Sequence, residues 1–234
     1  MERKEENNMF KYATKELSQD AFICWCINWI NYDKNKNLGK QILKLIIGNK
    51  IKELNYDDIE VQIRRQYYNI DILLVINRKF FIIIEDKIDS SEHNQLDNYK
   101  KKLINLLDED NCKKSEIENI RKRKSKLNIV NFNKNNIFTV YLKTGNFNEK
   151  DLKVVADNKV GGKELLETLE QYMNNNKKTD ISYIVNDFIK ALREKIELAD
   201  ENRPDKFIGK KLEVGTKFRK KVSLFKLFCR PIDI

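Results

Sequence analysis

The chain has 234 residues, 41% of them hydrophobic, which is enough for one domain with a real core and a shorter extension. A charged fraction of 35%, a mean hydropathy of -0.65 and apolar runs no longer than Ile70–Ile76 and Phe80–Ile84 exclude an integral membrane protein built of apolar helices. The net charge of +10 and pI near 9.2 point to an anionic partner such as nucleic acid, although a bias toward Lys, Asn and Ile runs through the whole chain and weakens that inference.

The rare residues exclude further classes. One histidine, His93, rules out multi-histidine metal sites, and no G-x-S-x-G context supports a Ser-His-Asp hydrolase. Seven glycines form neither a G-x-x-x-x-G-K-[ST] loop nor a G-x-G-x-x-G, so neither ATP nor a dinucleotide is expected. Cys24, Cys26, Cys112 and Cys229 lack zinc-site spacing, and the first two read as buried thiols of a helix.

Residues 1–8 are polar, contain no signal-peptide core and are expected to fray, so a cytoplasmic location is the default. Leu17, Ala21, Phe22, Cys24, Trp25, Ile27, Trp29 and Ile30 predict a well-buried helix over 14–31 capped by Thr14. Glu16 and Asp20, four apart, share one of its faces. They read either as a solvated acidic stripe at the helix start or as acids aimed at a site.

A second helix is predicted over 38–48, and Ile59–Tyr68 reads as a strand. Two β-branched and aromatic runs follow, 70–76 and 80–87, separated by Asn77-Arg78-Lys79, and predict a hairpin that completes a three-stranded meander. Alternation puts Asp71 on one face of its strand, and Glu85 and Lys87 on one face of the next. In an antiparallel hairpin the start of the first strand lies beside the end of the second, so two carboxylates and a lysine converge. Close carboxylates repel and call for a cation, and a hard divalent ion suits two carboxylates plus waters. A salt bridge at the rim of a sheet is the competing account.

Asp89-Ser-Ser-Glu92 has the form of a capping box opening a helix over 92–107, with Leu96, Tyr99, Leu103 and Leu106 as its buried stripe and Gln95 beside it. The charged segment 108–136, with Arg121-Lys-Arg-Lys-Ser-Lys126, reads as a solvated helix or loop in preference to a phosphate-contact patch. Ile137–Leu142 predicts a strand, and 162–174 and 180–198 predict helices. From Asp200 onward, lysines and arginines interleave with Phe207, Phe218, Phe225 and Phe228, which suits nucleic-acid contact, core packing or an oligomer contact equally.

Helix, meander, helix and strand, with Asp71 opening one strand and Glu85-Asp86-Lys87 ending the next, resemble the PD-(D/E)XK nuclease superfamily over roughly residues 10–198. The closest likeness is to its poorly characterised bacterial branch, through Glu16-Leu-Ser-Gln-Asp20-Ala-Phe and Asn94-Gln95-Leu-Asp-Asn-Tyr99. The resemblance implies an α/β fold with a restriction-endonuclease-like core: a mixed four-stranded sheet in the order αβββαβ, extra C-terminal helices, a domain over 1–199 and a basic aromatic extension over 200–234.

It also implies a magnesium- or manganese-dependent deoxyribonuclease. Asp71, Glu85, the backbone carbonyl of Asp86 and Glu16 would serve the metal, while Lys87 would assist the attacking water and Gln95 would sit beside it. The expected partner is nucleic acid, DNA before RNA, in defence, restriction or repair, with a homodimer or a missing partner subunit open. The alternative is a binding or interaction module that keeps the fold without catalysis.

Overall fold

The computed structural model describes residues 8–13, 15–88, 90, 94–110, 112–130, 132–145, 149–176 and 179–201. The chain divides into two compact units, Met1–Ala199 and Asp200–Ile234, and the described residues fall almost entirely in the first. The predicted basic extension therefore lies outside the described residues apart from its first two positions.

Helices α1 (Glu16–Asn28) and α2 (Lys36–Ile47) precede a meander of β1 (Val61–Tyr67), β2 (Ile70–Ile76) and β3 (Phe80–Lys87). Then come α3 (Gln95–Leu107), α4 (Ile117–Lys126), β4 (Ile137–Lys143), α5 (Glu149–Lys153), β5 (Asn158–Gly161), α6 (Gly162–Asn175) and α7 (Ser182–Glu201). The five strands form one mixed sheet in sequential order, antiparallel through β1-β2-β3 and parallel through β3-β4-β5. Parallel neighbours need a long crossover, and α3 and α4 lie in the one between β3 and β4.

The sheet is buried on both faces, which explains why β2 and β3 read as continuous apolar runs. On one face Ile72, Leu74, Ile76, Ile82 and Ile84 join residues of α1, α2, α6 and α7 in one core cluster. On the other, Leu73, Val75, Phe81 and Ile83 join Leu96, Leu103 and Leu107 of α3 and Leu127 in a second. Each fully buried Ile or Leu contributes about 1.5–3 kcal/mol, so the two clusters supply most of the driving force. Gly39 lets α2 close on the end of α1, since a Cβ there would stand 2.7 Å from Ile30 Cγ1.

Several expectations change. The sheet has five strands and not four, because β5 pairs with β4 although Asn158-Lys-Val-Gly161 offers only one apolar side chain. Helix α1 is capped at Lys15, without a side-chain bond, and the stretch Trp29–Asn31 tightens into a 3-10 turn. Thr14, Asp89, Ser91, Glu92 and His93 lie outside the described residues, so the proposed caps at Thr14 and Asp89–Glu92 are not described. Helix α3 opens at Gln95 behind a left-handed Asn94 (φ 58°), and Leu107 replaces Leu106 as its last fully buried contact. Among the described residues no helix is long and apolar enough to cross a membrane.

Candidate active site

The register of β2 and β3 pairs Ile72 with Ile84, and one step further toward the sheet end sets Asp71 across from Glu85. Opposed residues on neighbouring strands have Cβ atoms about 4.5–5.5 Å apart. Glu85 is fully buried and Asp71 half-buried. Lys87, two residues on and on the same face, brings its Nζ to 2.5 Å from Glu85 Oε1. Even so, neither carboxylate oxygen of Glu85 receives a well-aligned hydrogen bond.

The electrostatics follow from that crowding. Burial pushes the Glu85 carboxyl up to about 8; Lys87 pulls against this, and the charge of Asp71 adds to it. Burial acts to lower the Lys87 ammonium, but Glu85, Glu16 and Asp71 outweigh it and hold it above its ordinary value. Lys87 is therefore a cation at neutral pH and not a proton acceptor.

Glu16 stands at the first position of α1 and reaches the same sheet end. Its Oε1 accepts from Ile88 N at 3.3 Å and from Ser90 Oγ at 3.1 Å, while Oε2 lies 4.0 Å from Lys87 Nζ. Gln95 opens α3 on the other layer and donates to Tyr99 Oη at 3.3 Å. Burial, then the charges of Glu85 and Asp71, push the Tyr99 hydroxyl up to about 12, so the Gln95–Tyr99 pair lies within electrostatic reach of the carboxylates.

Asp71, Glu85 and Lys87 thus come together directly, Glu16 joins them through Lys87, and Gln95 stands by through Tyr99. The Asp86 side chain turns to the opposite face, where Gln19 Nε2 donates to its Oδ1 and Thr144 Oγ1 donates to Gln19 Oε1 at 2.7 Å. That leaves the backbone carbonyl as the group Asp86 can offer on the Asp71 side.

Asp20 shares the fate of Asp86 and not that of Glu16. It is 1% exposed, so it belongs to no solvated stripe. Burial raises its carboxyl to about 6 against a hydrogen bond from Asp86, and the neighbouring Asp20 adds to burial in raising Asp86. These two acids form a buried pair on the far side of the strand that carries Glu85.

Four contributors escaped the sequence reading. Gln66, opposite Asp71 on β1, donates from Nε2 to Asp71 Oδ1 at 3.2 Å and has a left-handed backbone (φ 52°). Tyr141 and Lys143 of β4 align with Glu85 and Lys87 in the parallel register. Both are bound by the fully buried Asp151 of α5, with Tyr141 Oη and Lys143 Nζ each 2.7 Å from its carboxylate. Gln66 carries no pattern that marks it, and the Asp151 contacts depend on how α5 folds back over the strand end.

A divalent cation fits this chemistry. Two opposed carboxylates, one fully buried, face a single ammonium, that of Lys87 at 2.5 Å from Glu85 Oε1, so a further positive charge suits the site. Among the described residues no group of three or more His, Cys, Asp or Glu is gathered to hold a metal ion. An ion here would be held by Asp71, Glu85 and the Asp86 carbonyl, with water filling the rest, as magnesium accepts. No family model, curated protein or solved structure matches the chain.

Proposed function

We propose that the protein is a divalent-metal-dependent nuclease with a restriction-endonuclease-like core of the PD-(D/E)XK type, which hydrolyses phosphodiester bonds, DNA by preference. The observation that carries this reading is the convergence of Asp71 and buried Glu85 with Lys87, in which Glu85 is raised to about 8 and its oxygens lack aligned donors. A plain salt bridge would account for Lys87 and Glu85, but not for a second carboxylate directed at a buried first one.

Magnesium or manganese bound there would polarise the phosphodiester and lower the pKa of a coordinated water. Asp71 and Glu85 would hold the ion, and Gln66 fixes the Asp71 carboxylate from the side. Lys87, kept protonated by its carboxylate neighbours, offsets the negative charge that grows on the phosphate and orients the attacking water. Glu16 ties the start of α1 to the strand end and adds a second carboxylate within 4.0 Å of Lys87. The net charge of +10 suits a polyanionic substrate.

Supercoiled plasmid, linear duplex, single-stranded DNA and RNA, each with magnesium, manganese or chelator, test the reading. Metal-dependent cleavage is expected from the wild type, with a loss of about hundredfold or more in Asp71→Asn, Glu85→Gln and Lys87→Ala while the circular dichroism spectrum is kept. Undiminished cleavage in the Asp71→Asn/Glu85→Gln double variant, or a folded wild type inert toward every polymer, would return the protein to the class of binding modules.

A further inference from the structure

The turn between β1 and β2 is built against the ordinary preferences of its residues. Tyr67 pairs with Ile70, so Tyr68 and Asn69 are the two central residues of the hairpin, and both are left-handed, with φ of 51° and 69°. That is the pattern of a type I′ turn, whose central positions favour Asn, Asp and Gly. Asn69 meets the preference, whereas a tyrosine at positive φ is sterically strained. Gln66 adds a third positive φ just before the turn. Ile63 packs on the first core cluster, but Tyr67, of the same strand parity, packs on the second, so the kink at Gln66 rotates the end of β1 toward the face of α3 and α4. Strained backbone at non-glycine residues collects where function requires it.

The strain has a product. Tyr68 is 43% exposed, with its ring edge-on to Tyr67 at a centroid distance of 4.8 Å. The neighbouring Gln66 holds Asp71, so the exposed ring stands in the turn that leads into the strand that carries Asp71. The strand that leads into the turn is basic. Arg64 is exposed, and its Nη2 donates to the Lys126 carbonyl at 3.1 Å, which brings the end of α4 against β1. Arg123 of α4 donates from Nη1 to the Leu106 carbonyl at 3.5 Å. In the rest of the basic run, Arg121 and Lys124 face Glu109 and Lys122 faces Glu118.

We propose that Tyr68, backed by Tyr67 and preceded on the same strand by the exposed Arg64, is a stacking platform for an unpaired base of a nucleic-acid strand, DNA or RNA, whose backbone then runs toward Asp71. The inference rests on the nuclease reading and adds to it where the strand lies. An exposed ring at the end of a strand that carries an exposed arginine suits a base with its phosphate, and stacking of this kind is tolerant of sequence. The exposed residues around the ring, Arg64, Gln66 and Asn69, are polar and suit a solvated polyanion better than an apolar protein partner.

Fluorescence anisotropy of the full-length protein in chelator, with labelled oligothymidylate, oligouridylate and a blunt duplex, tests the platform through wild type, Tyr68→Asn, Tyr68→Phe and Arg64→Gln. Tyr68→Asn is expected to bind single strands about tenfold more weakly, the order of one base–aromatic stack. Because asparagine suits the turn, that variant should melt at or above the wild-type temperature, so a binding loss is not a folding loss. Tyr68→Phe should keep the affinity, and Arg64→Gln should flatten the salt dependence. Unchanged single-strand affinity in Tyr68→Asn, an equal loss in Tyr68→Phe, or a duplex preference indifferent to Tyr68 overturns the platform. Any of these with metal-dependent cleavage intact leaves the nuclease reading standing, whereas a wild type that neither binds nor cleaves any polymer removes both.

Discussion

A carboxyl raised to about 8 in the folded chain, from 4.5 when free, keeps its proton over a range in which the unfolded chain has lost it. The native state then binds more protons than the unfolded one, and stability falls as pH climbs from about 4.5 toward 8. Asp20, raised from 3.8 to about 6, acts with the same sign at the lower end of that window, and Asp86, raised well above its ordinary value by burial, also acts with that sign. Urea unfolding in chelator should therefore give a midpoint that drops between pH 5 and pH 8, and magnesium should shrink the drop because the cation displaces the proton from Glu85. A midpoint that does not change with pH in chelator would contradict a Glu85 carboxyl raised by burial beyond what Lys87 offsets. Asp71→Asn keeps the acceptor for Gln66 and removes the charge facing Glu85. It should raise stability in chelator by about 1 kcal/mol while abolishing cleavage, the usual trade between a strained site and a relaxed one.

At the scale of elements, the strands that build the site were legible and the contacts that steady it were not. Runs of Ile, Leu, Val and Phe mark β2, β3 and β4 whatever surrounds them, and hairpin register then brings Asp71 to Glu85 without further information. β5 could not be read, because Asn158–Gly161 owes its extended form to pairing with β4 and not to its own side chains. Nor could the bond from Thr144 to Gln19, which joins the end of β4 to α1. Gly162 makes that junction possible: a Cβ there would stand 2.4 Å from the Thr144 carbonyl oxygen. Gly162→Ala is expected to cost about 1–3 kcal/mol through overpacking, lowering the melting temperature by about 2–4 °C per kcal/mol. A melting curve matching wild type would mean that β4 and α6 separate without cost. In the neighbouring Lys143–Asp151 pair both side chains are at most 1% exposed, so Asp151→Ala takes a carboxylate away from a buried cation. It should cost about 3–5 kcal/mol by urea unfolding, with Lys143→Met in the same background recovering much of that loss.

At the scale of the whole domain, the site occupies the place where both helical layers meet the end of the sheet. Glu16 comes from the α1 layer, Gln95 and Tyr99 come from the α3 layer, and Asp71, Glu85 and Lys87 come from the two central strands between them. A cation held by Asp71 and Glu85 would offset the repulsion between them at the end of β2 and β3. Because both strands belong to the two core clusters, the effect reaches global unfolding and is not confined to local fraying. An ion that binds only the folded state adds about 2.7 kcal/mol at a hundredfold excess over its dissociation constant. For a chain of this size that raises the melting temperature by about 5–11 °C. Calorimetry with magnesium, manganese or chelator should show this rise in the wild type, a larger one at pH 8 than at pH 6, and none in Asp71→Asn. An equal rise in that variant would detach the ion from the carboxylate pair and place its binding elsewhere on the chain.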